Sequence, residues 1–319
     1  MTSLFYRRVR GHRYLIVAYN RRMDQYRGRF APSPTGPLHF GSLVAAVGSY
    51  LEAKSRGGLW LLRMEDLDPP REQPGAAGAI LRTLEACGMA WDGNIMYQSQ
   101  RGEAYRAALA RLQAQGVTYA CRCSRREIAD SGLGPDGALI YPGTCRGGLA
   151  PGSTPRATRV RVADAVVEFE DAVQGKVRQD LAAEAGDFVL LRADGLYAYQ
   201  LAVAVDDAEQ KITDVVRGAD LLDSTPRQIY LQRLLGLCTP RYLHLPAAVN
   251  TIGEKLSKQT RAAPVNGREP VSVLVRVMDF LGQAPPAQLR RVPLDEFWRW
   301  ALSHWDAKRI PRRCSLTAP

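Results

Sequence analysis

Histidine is scarce in this 319-residue chain: there are four, and none lies between His39 and His244. That gap excludes an imidazole-rich metal centre from the middle of the sequence. Lysine is nearly as rare, six residues among 43 cations, so arginine carries most of the positive charge. No apolar run approaches the roughly 18 to 20 residues of a membrane-spanning helix. Cysteine occurs at six positions, too few and too unevenly spread for a disulfide framework, so a reducing, cytoplasmic setting is expected. Tyr14 to Tyr19 is shorter than the about 7 to 15 residues of a signal-peptide core. Residues 1–28 read instead as a loose basic extension containing Met23, a second candidate start.

What is present points to an anionic partner. The formal charge is +11, and nucleic acid is the common counterpart of such an excess. The length suffices for a substantial core divided into two or three units. Apolar patterning predicts a strand at 27–31, a helix at 40–56 with Leu43, Val47, Tyr50 and Leu51 on one face, and a strand at 58–64. That is a βαβ unit, whose ligand sits beyond the carboxyl ends of the strands, near Ser33 and Glu65. Helices are expected at about 75–87 and 101–115, each stopped by a glycine, Gly88 or Gly116. Residues 117–186 lose this alternation and read as an inserted module. Strand-like text at Phe188–Leu191 and Leu196–Val205 suggests a return to the first sheet, with Tyr199 on a half-buried strand. Beyond residue 260 the pattern is helical, with Val271, Val275, Met278 and Leu281 apolar.

Two segments carry chemistry. Arg29-Phe30-Ala31-Pro32-Ser33-Pro34-Thr35-Gly36-Pro37-Leu38-His39-Phe40-Gly41-Ser42 runs from a strand through a stiff turn into a helix start. Unpaired N–H groups at a helix N-terminus suit a phosphate, and His39 adds a further donor. Gly36 and Gly41 permit close approach. Farther on, Gly253-Glu254-Lys255-Leu256-Ser257-Lys258-Gln259 places two of the six lysines three positions apart. Lysine is a mobile point charge, suited to following phosphate through a reaction.

Together the segments resemble the paired signature motifs of class I aminoacyl-tRNA synthetases, with His39-Phe40-Gly41-Ser42 as the first and Lys255-Leu256-Ser257-Lys258-Gln259 as the second. Arg29 to Gly36, Leu62-Arg63-Met64-Glu65-Asp66-Leu67-Asp68 and Ile212 to Asp220 resemble the glutamyl branch, over roughly residues 28 to 305. The resemblance implies an α/β fold: a Rossmann-like catalytic domain in two halves, 29–116 and 187–260, interrupted by a zinc-containing module at 117–186 and followed by a helical region at 261–319. It implies a ligase that activates L-glutamate with ATP and Mg²⁺. His39, Lys255 and Lys258 would be catalytic, and His39, Gly41, Ser42 and Lys258 would bind ATP. The glutamate site would comprise Arg29, Phe30, Ala31, Pro32, Ser33, Glu65, Tyr199 and Arg217. The charges of glutamate agree: its side-chain carboxylate wants a guanidinium such as Arg29, and its ammonium group a carboxylate such as Glu65. Asp66, Asp68 and Arg71 read equally well as a structural ion-pair cluster.

Cys121, Cys123 and Cys145 lie close in sequence, a density of thiols that suggests zinc, which takes four ligands in a structural site. Buried reduced cysteines are the alternative. Tyr141, Asp130 and Asp136 are candidates for the fourth position, and the family pattern, Cys-x-Cys then Tyr-x3-Cys, favours Tyr141. Only 59 residues follow Thr260, fewer than the roughly 100 to 150 of an ordinary domain, so no anticodon-reading body is expected there. The likeness is greatest to short paralogues in this branch, whose activity implies transfer of glutamate to queuosine in the anticodon of tRNA(Asp); a monomer is the expectation, although the sequence itself does not reveal oligomeric state. Arg122, Arg125, Arg126 and Arg146 are then available to RNA phosphates, and read equally well as a solvated surface. Competing readings are an acceptor-end glutamyl ligase, another nucleotidyltransferase, and a non-catalytic zinc and RNA-binding relic.

Overall fold

A computed structural model describes residues 25–163, 165–256, 265 and 269–319, with the backbone alone of 3–9 and 12–18. Ser257, Lys258 and Gln259 lie outside the described residues. Where a loose extension was expected, β1 (Ser3–Val9) and β2 (His12–Ala18) form an antiparallel hairpin pairing Ser3 with Ala18 and Val9 with His12. Both segments are rich in aromatic and β-branched residues, which favour pairing over coil.

The βαβ unit forms as the patterning predicts: β3 (Arg27–Phe30), α1 (Phe40–Lys54) and β4 (Leu59–Met64), the strands parallel. Successive residues of β4 face opposite sides. Trp60, Leu62 and Met64 enter one core, and Leu61 enters the other, so the strand is buried from Trp60 onward, as a central parallel strand must be. Trp60 Nε1 donates to Ser49 Oγ at 2.9 Å, which satisfies the indole's polar edge. α2 (Ala76–Ala86) leads to β5 (Met96–Tyr97), parallel to β4, and α3 (Gly102–Ala114) follows. Both helices stop where expected, with Gly88 at φ 69° and Gly116 at φ 68°, left-handed positions that glycine fills without strain.

The next segment divides between two places. β6 (Thr118–Cys121), β7 (Ala157–Val160) and β10 (Val189–Leu191) make a small antiparallel sheet, so residues 189–191 pair with β7 and do not re-enter the first sheet. β8 (Val166–Asp171) and β9 (Gly175–Asp180) form a hairpin, capped by the short α4 (Leu181–Glu184). Tyr199 is on a helix, not a strand: it opens α5 (Tyr199–Glu209). The alternation around it was too short to decide, because a helix buried on most sides also reads as a continuous apolar run.

β11 (Asp214–Gly218), α6 (Thr225–Leu234) and β12 (Arg241–Leu245) complete the second half, with β11 and β12 parallel and β8 beside β12. Thr213 joins the halves: its N–H donates to Arg27 O, its hydroxyl oxygen accepts from Arg27 N, and its carbonyl accepts from Arg241 N. The strand order across the molecule is therefore β5-β4-β3-β11-β12-β8-β9. One face is covered by α1 with α7 (Pro270–Phe280) and α8 (Leu294–His304), the other by α3, α5 and α6. β13 (Ala247–Val249) and β14 (Ser315–Thr317) pair in parallel.

Candidate active site

The carboxyl ends of β3, β4 and β11 open into a cleft of about 860 Å³. Arg29 and Phe30 end β3, and Ala31, Pro32 and Ser33 continue as the cleft wall. Glu65 N–H donates to Pro32 O at 2.9 Å, which ties the turn after β3 to the end of β4. Glu65, Tyr199 and Arg217 face the same cleft from β4, α5 and β11, as do His39, Gly41 and Ser42 at the start of α1 and Lys255 after β13. Of the residues expected to form the site, only Lys258 lies outside the described residues.

His39 is the N-cap of α1. Its Nδ1 accepts from Ser42 N at 3.3 Å and its Nε2 lies 3.0 Å from Ser42 Oγ. The first contact requires a bare Nδ1, which leaves the proton of a neutral imidazole on Nε2, beside the hydroxyl. Imidazole, serine hydroxyl and helix N-terminus thus form one donor surface, where an anion would draw on the Nε2–H now turned to Ser42. Lys255 Nζ pairs with Asp220 Oδ2 at 2.5 Å, and its side chain is 52% exposed at the rim.

Residues not singled out by the patterning hold these groups in place. Arg29 is 3% exposed and donates from Nε to Asp207 Oδ1 at 3.1 Å, and Arg63 Nη1 donates to the same oxygen at 2.7 Å. Arg63 Nη2 reaches Glu65 Oε1 at 3.2 Å. Burial opposes ionisation of Asp207, yet the two guanidiniums hold its carboxyl below the usual range. Burial pushes Glu65 up, against the pull of Arg63 and Arg29. A second carboxylate, Asp206, accepts from Gln98, Arg101 and Tyr105. The signal in the sequence was a pair of acids inside the apolar helix Leu201-Ala-Val-Ala-Val-Asp-Asp207 and an arginine inside Leu59-Trp-Leu-Leu-Arg63. Charges so placed demand partners, although the sequence does not say which. Asp68 pairs with Arg71 and Arg192 at the surface.

Away from the cleft, Cys121, Cys123 and Cys145 bring their sulfurs within 4.8 Å of one another, an arrangement that could bind a metal ion. Tyr141 lies against the group: its hydroxyl is 3.4 Å from Cys121 Sγ and 3.5 Å from Cys123 Sγ, and accepts from Cys145 N–H at 2.8 Å. Asp136 is engaged elsewhere, by Arg227 and the Ala138 amide, and among the described residues no carboxylate joins the sulfurs. Three soft ligands and a phenol at one point fit a small tetrahedral ion such as zinc. Arg122, Arg125 and Arg126 are exposed beside this group, whereas Arg146 is held by Val162 O and Asp187.

Comparison with known proteins places the chain. Residues 25–132 and 150–272 match the family model described as tRNA synthetases class I (E and Q), catalytic domain; the gap at 133–149 contains Tyr141 and Cys145. A glutamyl-Q tRNA(Asp) synthetase from Aromatoleum aromaticum is 58% identical over 92% of this chain and 93% of its own length. Another, from Dechloromonas aromatica, is 59% identical over 92% and 98%. Among solved structures, a glutamate tRNA ligase from Elizabethkingia meningosepticum in complex with its amino acid superposes with a TM-score of 0.76 at 26% identity. The match covers 92% of this chain and 67% of that one. With the turn from Arg29 to Ser42 and Lys255 lining one cleft, the chain belongs to the class I tRNA synthetases of the E and Q family, in the group of the glutamyl-Q tRNA(Asp) synthetases.

Proposed function

We propose that this protein activates L-glutamate with ATP and transfers the glutamyl group to the queuosine base in the anticodon of tRNA(Asp). The observation that carries the reading is the convergence of two guanidiniums, Arg29 and Arg217, with Glu65 and Tyr199 in the cleft that also holds the α1 start and Lys255. The guanidiniums suit the carboxylates of glutamate, and Glu65 its ammonium group. In the first step a carboxylate oxygen of the α-carboxyl attacks the α-phosphorus of ATP. A P–O bond forms to give glutamyl-adenylate, and the bond to pyrophosphate breaks. His39, Ser42 and the helix N-terminus stabilise the phosphates, while Lys255 and Lys258 follow the charge onto pyrophosphate. In the second, a hydroxyl of queuosine attacks the activated carbonyl, forming the ester and releasing AMP.

Both carboxylates of the cleft, Glu65 and Asp220, already pair with Arg63 and Lys255. A Mg²⁺ accompanying ATP would supply positive charge to its phosphates. Cys121, Cys123, Cys145 and Tyr141 would hold one structural zinc, which would organise the Cys121–Cys145 segment near exposed arginines available to the RNA backbone. The close relatives, whose names specify the queuosine-directed activity, favour this reading over acceptor-end charging. Glutamylation of purified tRNA(Asp), with and without queuosine and beside tRNA(Glu), tests it. Labelling only of the queuosine-containing tRNA(Asp) is expected, and labelling of tRNA(Glu) at its acceptor end would overturn the assignment.

A further inference from the structure

Arg217 is held by a buried chain of side chains that runs across neighbouring strands, from Asp171 at the end of β8 through His244 on β12. Its side chain is 5% exposed. Nε donates to His244 Nε2 at 3.1 Å, and Nη2 donates to Thr225 Oγ1 at 2.8 Å and to Leu221 O at 3.4 Å. Nη1 is buried with no protein partner, on a residue that lines the cleft. Behind it, His244 Nδ1 lies 2.6 Å from Asp171 Oδ2, and neither side chain reaches solvent. Asp171 also accepts the backbone N–H groups of Val173, Gln174 and His244. Every group around this carboxylate donates, so His244 must carry its proton on Nδ1 and present a bare Nε2 to Arg217.

We propose that Asp171 and His244 are positioning residues for glutamate recognition: they fix the plane of the Arg217 guanidinium so that Nη1 is the edge offered to a carboxylate of the bound amino acid. The inference rests on the reading above that Arg217 contacts glutamate. The tautomer is the working part. Reversing it would set Nε2–H against Nε–H and turn the fork away. Burial holds the imidazole neutral, with a pKa lowered to about 4, so the relay adds no competing positive charge beside the guanidinium. Asp171 ends β8, and the relay therefore connects the β8–β9 hairpin to the amino-acid site through β12.

The test uses glutamate-dependent ATP–pyrophosphate exchange by the full chain, with KM measured separately for glutamate and for ATP. Asn at 244 keeps a group at the Nδ1 position and loses the acceptor facing Arg217, whereas Gln can place its carbonyl there. His244→Asn and Asp171→Asn are expected to raise the glutamate KM about tenfold or more, the scale of one hydrogen bond to a charged group, and to leave the ATP KM within about twofold. His244→Gln should stay within about threefold of wild type, and the double variant His244→Asn with Asp171→Asn should be no worse than His244→Asn alone. A folded His244→Asn with an unchanged glutamate KM overturns the relay, as do equal losses for both substrates or additive effects. Should these variants fail to fold, ¹⁵N spectra of the wild type decide, helped by the chain's having only four histidines. A protonated Nδ1 and a bare Nε2 that shifts on adding glutamate are expected, and the opposite tautomer or an unresponsive Nε2 refutes the proposal. Absence of exchange in the wild type would instead overturn the parent reading of the cleft.

Discussion

His244 also sets a pH dependence of stability. In the unfolded chain its imidazole takes up a proton below about 6.5, while in the fold burial delays this to about pH 4. Between those values the unfolded state binds more protons, so stability falls as the pH is lowered from about 6.5 to about 4, by up to roughly 3 kcal/mol. Urea unfolding at pH 7 and pH 4.5 should show that loss, and His244→Gln should flatten it; identical slopes in the two proteins would assign the effect to other groups. At this scale the sequence was informative about groups that line the cleft and silent about groups that meet each other. Arg29, Glu65, His39 and Arg217 stand in recognisable segments. Asp207 and Arg63 are 144 positions apart, and nothing local announces that one carboxylate oxygen serves two guanidiniums. Only the oddity of charges inside apolar elements gave a hint.

Elements were legible where a punctuating residue closed them. α2 and α3 stop at their glycines because a left-handed φ is required there, and α1 starts where the prolines end. Tyr199 was misassigned because α5 is buried on most sides, which erases the period that separates helix from strand. Gly282 is a sharper case of local constraint, with φ 73° and an added Cβ falling 2.4 Å from Arg309 O. Gly282→Ala should therefore destabilise the packing of α7 against the segment after α8 by about 2 kcal/mol or more, seen as a lower denaturation midpoint. A change below about 0.5 kcal/mol would mean that the backbone yields there. The thiol group makes a different prediction. Protein purified without added metal should contain about one zinc per chain, and a chelator should loosen the 121–145 segment to proteolysis while the sheet core holds. Uniform loss of the whole fold would show that this segment is not an independent unit.

At the scale of the molecule, the +11 charge becomes a statement about RNA binding. If several arginines contact phosphates, log Kd for tRNA should rise steeply and linearly with log salt, with a slope near 0.7 to 0.9 per phosphate neutralised. A flat dependence between 50 and 200 mM salt would place the affinity in base contacts alone. The first βαβ unit was visible in the spacing of strands and helices, whereas β11 and β12, which extend the sheet beside it, were not. Nor was the pairing of 189–191 with β7, because it depends on where a long insertion returns, a tertiary matter. The β13–β14 pair has a practical consequence. Cys314 is exposed, and its carbonyl accepts from Ala247 N at 2.9 Å, beside the residues that wall the cleft. With Cys238, the other exposed thiol, replaced by serine, an environment-sensitive dye on Cys314 becomes an optical reporter one backbone bond from the strand that leads to Lys255. Nucleotide arriving in the cleft would then be read as a change in emission, without any label on substrate or RNA.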